Sequence, residues 1–423
     1  MSFNAHRPAR ITLDNGLTLI HQHRPHTGVV AIDVWVKAGA IYESDAWCGM
    51  AHFLEHMIFK GSERVQPGMF DQAVESHGGA ANAGTGYDYA HYHMVMAQQH
   101  FADTLPYLAD ILVHATIPES SFESERQVVF EELRQCWDNP DYVAFQQLGE
   151  QLYPTHGYQR PILGTPETLA ALSPETMRQF HRAFYQPDNM TIVVVGDLDQ
   201  ATTVDLIHQH FSDFAAPTAV ITPPPQTAQA IVKHQHQDIH LSQIEESRLI
   251  LSWLMPGWRT EVTQALHQGY CCDMLSVILA SGRSSRLIQE LLETQGLVYD
   301  LDANFSLQRD AGLFSITAWL PETKLATVES ILHDHLGTIA ETPVSEVELA
   351  RAQRFLSNEA AFSTELPEPM AGIYGYYDMV GDLSAAWKYP DRINAISAAA
   401  IQQVAQTYLG FDQSLTTMVH TSD

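Results

Sequence analysis

The sequence His52-Phe53-Leu54-Glu55-His56 places two imidazoles and one carboxylate within a single turn of a predicted helix. Residues four apart lie on the same helix face, so His52 and His56 can each direct a ring nitrogen at one metal ion. Glu55, three residues after His52, reaches the same face. The flanking residues are apolar, and Gly61 suits a helix C-cap. The stretch therefore predicts a short helix that carries part of a metal site.

The order His-x-x-Glu-His is the inverted form of the zincin motif. A zinc site with an open coordination position needs a base beside the water that the metal activates, and Glu55 suits this role. The competing interpretation is chance, but with 22 His in 423 residues the composition gives only roughly 0.07 matches per chain. A third ligand elsewhere in the chain would strengthen the prediction of a zinc site.

A second predicted helix, at residues 123–133, reads Glu-Ser-Glu-Arg-Gln-Val-Val-Phe-Glu-Glu-Leu and is rich in carboxylates. Glu125 and Glu132 are two helical turns apart and therefore share a face. Val128, Val129 and Leu133 contribute to an apolar surface through which this helix can pack. The stretch thus offers candidate carboxylate ligands.

These two helices resemble those of the pitrilysin, insulysin and mitochondrial processing peptidase group, and most closely its short processing-peptidase-like subfamily. In that family the third zinc ligand is a glutamate in a Glu-Arg-x-Val-x-x-x-Glu helix, at the distance that separates Glu132 from His56 here. The resemblance implies one zinc ion per chain, bound by His52, His56 and Glu132, with Glu125 as a supporting acid of the catalytic site. Glu131 is the less favoured ligand, since successive helical residues differ by roughly 100°. A solvated carboxylate paired with an arginine is the alternative for Glu125.

Between the two helices, residues 78–86 read Gly-Gly-Ala-Ala-Asn-Ala-Gly-Thr-Gly, which predicts a turn followed by a strand of small residues. Small side chains allow another backbone to approach closely, so the strand can accept an extended peptide. In the family that the chain resembles, this is the edge strand that binds substrate, which implicates Asn82 and Ala83. A hairpin that binds no ligand is the alternative.

The chain is predicted to contain two copies of one unit. Trp35, before the first motif, corresponds to Trp253, and Tyr185 corresponds to Tyr408, which gives a period of about 220 residues. The resemblance implies an α+β fold of two homologous α/β-roll domains, each a mainly antiparallel sheet packed with helices. Three prolines at 223–225 indicate a stiff linker. The predicted organisation is an N-terminal zinc-binding catalytic domain at 1–216, a linker at 217–232, and a C-terminal homologous domain without a metal motif at 233–423.

In the second half, the segment 282–299 resembles one in which an arginine lies seven residues before a tyrosine and the pair holds substrate. Tyr299 matches this tyrosine and is implicated in catalysis and substrate binding, but Leu292 stands at the arginine position. Either Arg286 or another base replaces the arginine, or a homologous second subunit supplies the pair. The alternatives are that Leu292 packs under a helix and that Tyr299 is an ordinary aromatic residue at a strand start.

Composition narrows the partners and the compartment. A net charge of −28, from 22 basic and 50 acidic residues, argues against nucleic acid as a partner. The acidity suits attraction of cationic peptides, or it simply keeps the protein in solution. The sequence shows no apolar run that predicts a membrane span, a signal peptide or a transit peptide, so no membrane association is expected. Four cysteines without Cys-x-x-Cys spacing favour reduced thiols and a cytoplasmic location.

The function that the resemblance implies is a zinc metalloendopeptidase acting on extended, unfolded peptides or presequence-like segments, with zinc-activated water and Glu55 as the general base. The chain has half the domains of the four-domain members of that family. A homodimer, or a heterodimer with a homologous subunit carrying the Arg/Tyr pair, is therefore expected. The alternatives are a zinc-bearing subunit that requires such a partner, and a non-catalytic structural or substrate-holding protein.

Overall fold

The computed structural model describes residues 7–219, 228–229, 231, 233–242 and 244–421. Most of the predicted linker, including the three prolines, lies outside the described residues. The strands are β1 (Ala9–Thr12), β2 (Thr18–His23), β3 (Val29–Val36), β4 (Ala80–Thr85), β5 (Ala90–Ala97), β6 (Met190–Gly196), β7 (Gln235–Leu241), β8 (Ser247–Pro256), β9 (Asp300–Leu307), β10 (Ala311–Leu320) and β11 (Ser414–Thr421).

Helices alternate with these strands along both halves of the chain. They are α1 (Met50–Ile58), α2 (Met69–Ser76), α3 (Gln98–Val113), α4 (Glu119–Trp137), α5 (Pro140–Leu152), α6 (Pro166–Ala171), α7 (Pro174–Phe184), α8 (Gln200–His210), α9 (Val262–Ala280), α10 (Leu325–Glu341), α11 (Glu346–Ser363), α12 (Pro367–Val380), α13 (Ser384–Ala395) and α14 (Ala398–Tyr408). Among the described residues, none of these helices combines the length and apolar character that crossing a membrane requires. The cytoplasmic location stays a prediction.

The chain forms two compact units, and neither is contiguous in sequence. The first unit contains the described residues of Met1–Cys136, Arg160–Pro225 and Ser363–Trp387, and the second contains those of Trp137–Gln159, Gln226–Phe362 and Lys388–Asp423. Helix α5 therefore packs in the second unit and α12 in the first, whereas the predicted domains are contiguous. The predicted domain boundaries stay a prediction. They rest on the repeat in the sequence, whereas the two compact units are defined by which residues pack together in space.

The first unit is built on a six-stranded sheet in the order β1-β2-β6-β3-β5-β4. Strands β2 and β6 pair in parallel, and the other neighbours pair antiparallel. Strand β4 lies at one edge of this sheet. The stretch of small residues that the sequence predicts as a strand therefore has one side without a partner strand in the described sheet.

The second unit repeats this plan with five strands in the order β7-β11-β8-β10-β9. Its one parallel pair in the described sheet, β7 with β11, corresponds to β2 with β6. Trp35 lies in β3 and Trp253 in β8, which occupy the same place in the two strand orders. The predicted fold class is thereby confirmed: two related, mainly antiparallel sheets, each packed with helices.

Helix α1 packs against α4 through apolar side chains. The rings of Phe53 and Phe122 lie 4.7 Å apart between centroids, and both side chains are buried. Burial of one such aromatic side chain contributes about 1.5–3 kcal/mol. On α4, Phe122, Glu125, Val129 and Leu133 are all buried, at spacings that put them on one face. The prediction that Val128 joins this surface is wrong: its side chain is 50% exposed, because it lies one helical residue, roughly 100°, away from Val129. The packing of this face against α1 brings the carboxylates of α4 to the histidines.

Helix α12 belongs to the first unit because it covers the sheet around Trp35. Met370, Ala371 and Tyr374 are buried in one cluster with the Trp35 side chain. A Cβ atom at Gly375 would collide with the Trp35 indole, so glycine is required where the helix backbone meets this ring. The small residue allows the close approach of helix and sheet.

Candidate metal centre

The N-terminus of α1 is held by Glu43, whose side chain is fully buried. Its two carboxylate oxygens accept hydrogen bonds from the backbone N–H groups of Gly49, at 3.0 Å, and Ala51, at 2.7 Å. The first N–H groups of a helix have no partner within the helix, so the Glu43 oxygens satisfy two of them. The helix that carries the motif is therefore fixed at its start.

The predicted ligand residues converge. His56 Nε2 lies 3.2 Å from Glu132 Oε2, and His52 Nε2 lies 3.4 Å from Glu132 Oε1. One potential ligand atom from each of the three residues lies within 4.8 Å of the others. Two imidazole nitrogens and one carboxylate oxygen form a donor set typical of catalytic zinc. The residues present thus fit a zinc ion.

Glu125 supports His56 from the side away from this centre. Its Oε1 lies 3.0 Å from His56 Nδ1, and its Oε2 lies 2.6 Å from Lys60 Nζ. A carboxylate that accepts the Nδ1–H of a histidine fixes the tautomer, so that Nε2 keeps its lone pair for a metal. The alternative for Glu125, a solvated carboxylate paired with an arginine, is not what the structure shows, because the side chain is buried and bonded to His56 and Lys60.

The carboxylates make this pocket favourable for a cation. Burial alone lowers the pKa of His56, but hydrogen bonds with Glu125 and Glu132 outweigh it and raise the pKa to about 9. Hydrogen bonds with His52 and His56 lower the pKa of Glu132 well below its usual range. Burial raises the pKa of Glu125, yet His56 and Lys60 produce a net lowering. The same negative charge that holds a proton on His56 favours a metal cation at this place.

His52 differs from His56 in its surroundings. Its side chain is buried, and its Nδ1 has no hydrogen-bond partner among the described residues. Its ring centroid lies 4.9 Å from that of His56. Packing, rather than an outer carboxylate, therefore orients the His52 ring.

The neighbouring acid, Glu131, points elsewhere. Its carboxylate lies 2.9 Å from Arg134, and its side chain is more than half exposed. The rotation of roughly 100° per residue separates it from Glu132. In the structure Glu132, and not Glu131, joins the two histidines.

Glu55 is half-buried on α1 and contacts strand β4. The Thr85 hydroxyl donates a hydrogen bond of 2.5 Å to Glu55 Oε2. This contact fixes the carboxylate beside the edge strand and leaves Oε1 available. The arrangement suits a general base, which needs a defined position next to the atom whose proton it takes.

Comparison with known proteins identifies the family. A family model described as Insulinase (Peptidase family M16) matches residues 18–166, and one described as Peptidase M16 inactive domain matches residues 171–356. Together these two ranges span well over half of the chain. The chain belongs to peptidase family M16. The predicted closeness to a processing-peptidase-like subfamily stays a prediction.

Bacterial M16 relatives match over nearly the whole chain. The Bacillus subtilis protein named uncharacterized zinc protease YmxG is 26% identical over 411 residues, covering 96% of this chain and 97% of the relative. The Helicobacter pylori zinc protease PqqE is 27% identical over 416 residues, covering 96% and 91%. A crystal structure of a protease from Helicobacter pylori has a TM-score of 0.91 at 24% identity, covering 98% and 99%, and shows the same fold.

The M16 edge strand β4 carries the predicted substrate-binding residues. Asn82 is exposed and Ala83 is half-buried, and in the sheet β4 pairs with β5 from Ala80 to Thr85. The Ala83 N–H donates to Asn82 Oδ1 at 2.9 Å. A peptide bonding to that N–H would displace the Asn82 side chain. The role of Asn82 and Ala83 stays a prediction.

Tyr299 lies in the second unit, directly before β9. Its side chain is 57% exposed, and its backbone N–H donates to Trp319 at 2.7 Å. Leu292, at the position where the family resemblance would place an arginine, lies half-buried in the π-helical segment Ile288–Thr294. Arg286 makes two short contacts with Glu348, at 2.6 and 3.0 Å. Arg286 is thus engaged in an ion pair within this unit, and the role of Tyr299 stays a prediction.

Three residues of this M16 site were not predicted from the sequence. Thr85 is the one hydroxyl residue in β4, which is a signal only once the strand is known to lie beside α1. Lys60 lies four residues after His56, a spacing that indicates the same helix face. Glu43 has no local signal, because its partners are backbone groups of a helix that begins several residues later.

Proposed function

We propose that this chain is a zinc metalloendopeptidase that hydrolyses extended peptides. The observation that carries the proposal is the convergence of His52, His56 and Glu132 beside a fourth side chain, Glu55, held at a fixed position. His52, His56 and Glu132 would hold the metal. Zinc, when bound, supplies a Lewis acid that polarises a carbonyl and lowers the pKa of water. The names of the M16 relatives as zinc proteases agree with this choice of metal.

Glu55 moves the proton in this proposal. Its Oε2 is occupied by the Thr85 hydroxyl, so Oε1 takes a proton from the attacking water and then delivers it to the leaving amine nitrogen. The carboxylate returns to its charged form when the amine leaves, and the cycle is balanced. General acid–base catalysis of this kind contributes typically 10²–10⁴-fold to a rate.

The substrate class follows from the edge strand. Strand β4 is rich in alanine and glycine and has one side unpaired within the described sheet. An extended peptide can add there as a further strand, with main-chain hydrogen bonds giving affinity. Folded segments do not offer a free backbone, so the site would select unfolded peptides or presequence-like segments. The net charge of −28 favours cationic ones.

A second candidate is a zinc-bearing subunit that needs a homologous partner. It is favoured by two observations: Leu292 stands at the expected arginine position, and Arg286 is paired with Glu348. We propose that the chain works as a dimer, and that a partner with the Arg/Tyr pair is required if the chain alone binds zinc without hydrolysing peptide. A purely structural role is disfavoured by the retention of all three candidate ligands together with Glu55.

The proposed base is tested with Glu55→Gln in the full-length protein. The variant should keep zinc, measured by mass spectrometry of the metal, and lose hydrolysis of an unstructured peptide by about 10²–10⁴-fold. Glu131→Gln, which changes an exposed acid outside the centre, is the matched control and should hydrolyse at the wild-type rate. Wild-type activity in Glu55→Gln would remove Glu55 from the mechanism.

A further inference from the structure

The second unit contains another group of metal-ligating side chains, far along the chain from the motif. His234, His236 and Glu329 each offer one potential ligand atom, and these atoms lie within 4.8 Å of one another. His236 lies in edge strand β7, and His234 directly precedes this strand, two residues earlier in the chain. Glu329 comes from helix α10.

The hydrogen bonds of His234 determine which of its ring nitrogens can bind a metal. Its Nδ1 lies 2.9 Å from Ser414 Oγ. The Ser414 hydroxyl donates its own hydrogen to the Phe411 carbonyl oxygen at 2.7 Å, so it acts toward His234 as an acceptor. His234 therefore carries its proton on Nδ1, and Nε2 keeps a lone pair that can bind a metal.

The other two side chains are held in the same manner. His236 Nε2 lies 3.1 Å from Asp238 Oδ1, and an ionised carboxylate can only accept, which leaves the lone pair on His236 Nδ1. Thr416 donates its hydroxyl hydrogen to Glu329 Oε1 at 2.8 Å, which leaves Oε2 available. Metal-binding histidines and carboxylates are typically oriented by such outer hydrogen bonds. In each of the three side chains, one polar atom is held by a hydrogen bond and the other can bind a metal ion.

A fourth imidazole lies close to this group. His333 is one helical turn after Glu329 on α10, so the two share a face. Its Nε2 is buried and has no hydrogen-bond partner among the described residues. Its ring lies 6.3 Å from that of His234 and 4.7 Å from that of Phe411. Burial lowers the pKa of His333.

We propose that His234, His236 and Glu329 form a second zinc site, which ties edge strand β7 to helix α10. Imidazole nitrogens with one carboxylate suit zinc, whereas magnesium and calcium prefer oxygen ligands. A metal that binds only the folded state stabilises it by mass action. The site would therefore be structural, and it changes the expected content from one zinc ion per chain to two. It is independent of the proposed hydrolysis.

The test counts zinc bound to the metal-free full-length protein after equilibration with buffered free zinc up to low micromolar. Wild type should bind two zinc ions, His52→Ala/His56→Ala one, His236→Ala/Glu329→Gln one, and the fourfold variant none. His240→Ala is the matched control, since His240 lies on the same face of β7 outside the group, and it should bind two. One zinc in wild type, or a second zinc that persists in His236→Ala/Glu329→Gln, would overturn the proposal.

Thermal unfolding provides a second test, which is needed because loss of zinc in the double variant could also result from misfolding. In the His52→Ala/His56→Ala background, added zinc should raise the midpoint of thermal unfolding, and the isosteric change Glu329→Gln should abolish that rise. The free energy gained is about 2.7 kcal/mol when zinc is at a hundred times its dissociation constant. An equal zinc-induced rise with and without Glu329→Gln would show that the ion binds elsewhere.

Discussion

Thr85 Oγ1 lies 2.5 Å from Glu55 Oε2 and joins the last residue of strand β4 to helix α1. One hydrogen bond thereby connects the edge strand proposed to bind peptide with the carboxylate proposed to act as base. Because the donor belongs to the strand, a peptide that pairs with β4 has a defined position relative to Glu55. Thr85 is therefore a positioning residue in this account.

Thr85→Val should lower kcat about 10- to 100-fold while the zinc content stays unchanged, since a hydrogen bond to a charged group contributes about 1.5–3 kcal/mol. Valine keeps the shape of threonine but cannot donate. Thr85→Ser, which retains the hydroxyl, should keep most of the activity. Steady-state kinetics on an unstructured peptide checks this, and equal kcat in the valine and serine variants would contradict the positioning role.

Glu132→Gln should weaken zinc binding by at least about 100-fold, more than the 10–100-fold typical for loss of an outer partner. The neutral amide removes the charge that balances the cation between His52 and His56. Glu131→Gln is the control, because that carboxylate pairs with Arg134 at the surface and its loss should leave zinc affinity unchanged. Competition with a chromophoric chelator measures the zinc affinity of both variants. Weaker zinc binding in Glu131→Gln than in Glu132→Gln would identify Glu131, and not Glu132, as the ligand.

Glu125→Gln should weaken zinc binding by about 10–100-fold without abolishing it. The amide can still meet His56 Nδ1, but it no longer provides a charged acceptor. Glu123→Gln serves as control, since Glu123 is an exposed acid on the same helix. The same chelator competition applies. Unchanged affinity in Glu125→Gln would show that the contact with His56 is structural only.

Asp273 gives a pH dependence to stability in the second unit. Burial raises the pKa of Asp273 to about 6, against a hydrogen bond from Tyr389 at 2.7 Å that acts in the opposite direction. The folded state thus binds a proton more tightly than the unfolded state, so stability falls as pH rises through the window from about 4 to about 6.

Replacing Asp273 with asparagine should remove the loss of stability that accompanies rising pH. Between pH about 4.5 and about 8, wild type should lose about 2 kcal/mol more unfolding free energy than Asp273→Asn, from a pKa difference of about two units. Urea unfolding at both pH values measures the difference between the two proteins. Parallel pH profiles would mean that Asp273 titrates normally in the folded protein.

The grouping of the candidate ligands could be predicted from sequence because its geometry is mostly local. His52 and His56 are one turn apart, and Glu125 and Glu132 are two turns apart, so helix periodicity alone groups them. The choice of Glu132 as the third ligand rests on the family resemblance, which places a ligand glutamate at this distance along the chain from the second histidine. The two-unit plan was also visible, since Trp35 and Trp253 mark the same strand of each sheet.

The contacts that support the site could not be predicted, because they depend on how separate elements pack. Thr85 reaches Glu55 from a different strand, and Glu43 caps a helix that begins beyond an intervening turn. The discontinuity of the two units could not be predicted for the same reason, because it depends on which separate elements pack together. Helix α12 joins the first unit because Gly375 allows it to approach Trp35, and no local pattern reports a contact between residues so far apart.

Hydrolysis of a quenched fluorescent, basic, unstructured peptide by the purified chain alone tests the central claim most directly. The protein is stripped of metal, assayed, reloaded with two equivalents of zinc, enough for both proposed sites, and assayed again. The account predicts no cleavage without metal, cleavage after zinc is restored, and loss again with chelator. Cleavage that is insensitive to the metal, or its absence when zinc is bound at His52, His56 and Glu132, would contradict a self-sufficient zinc peptidase.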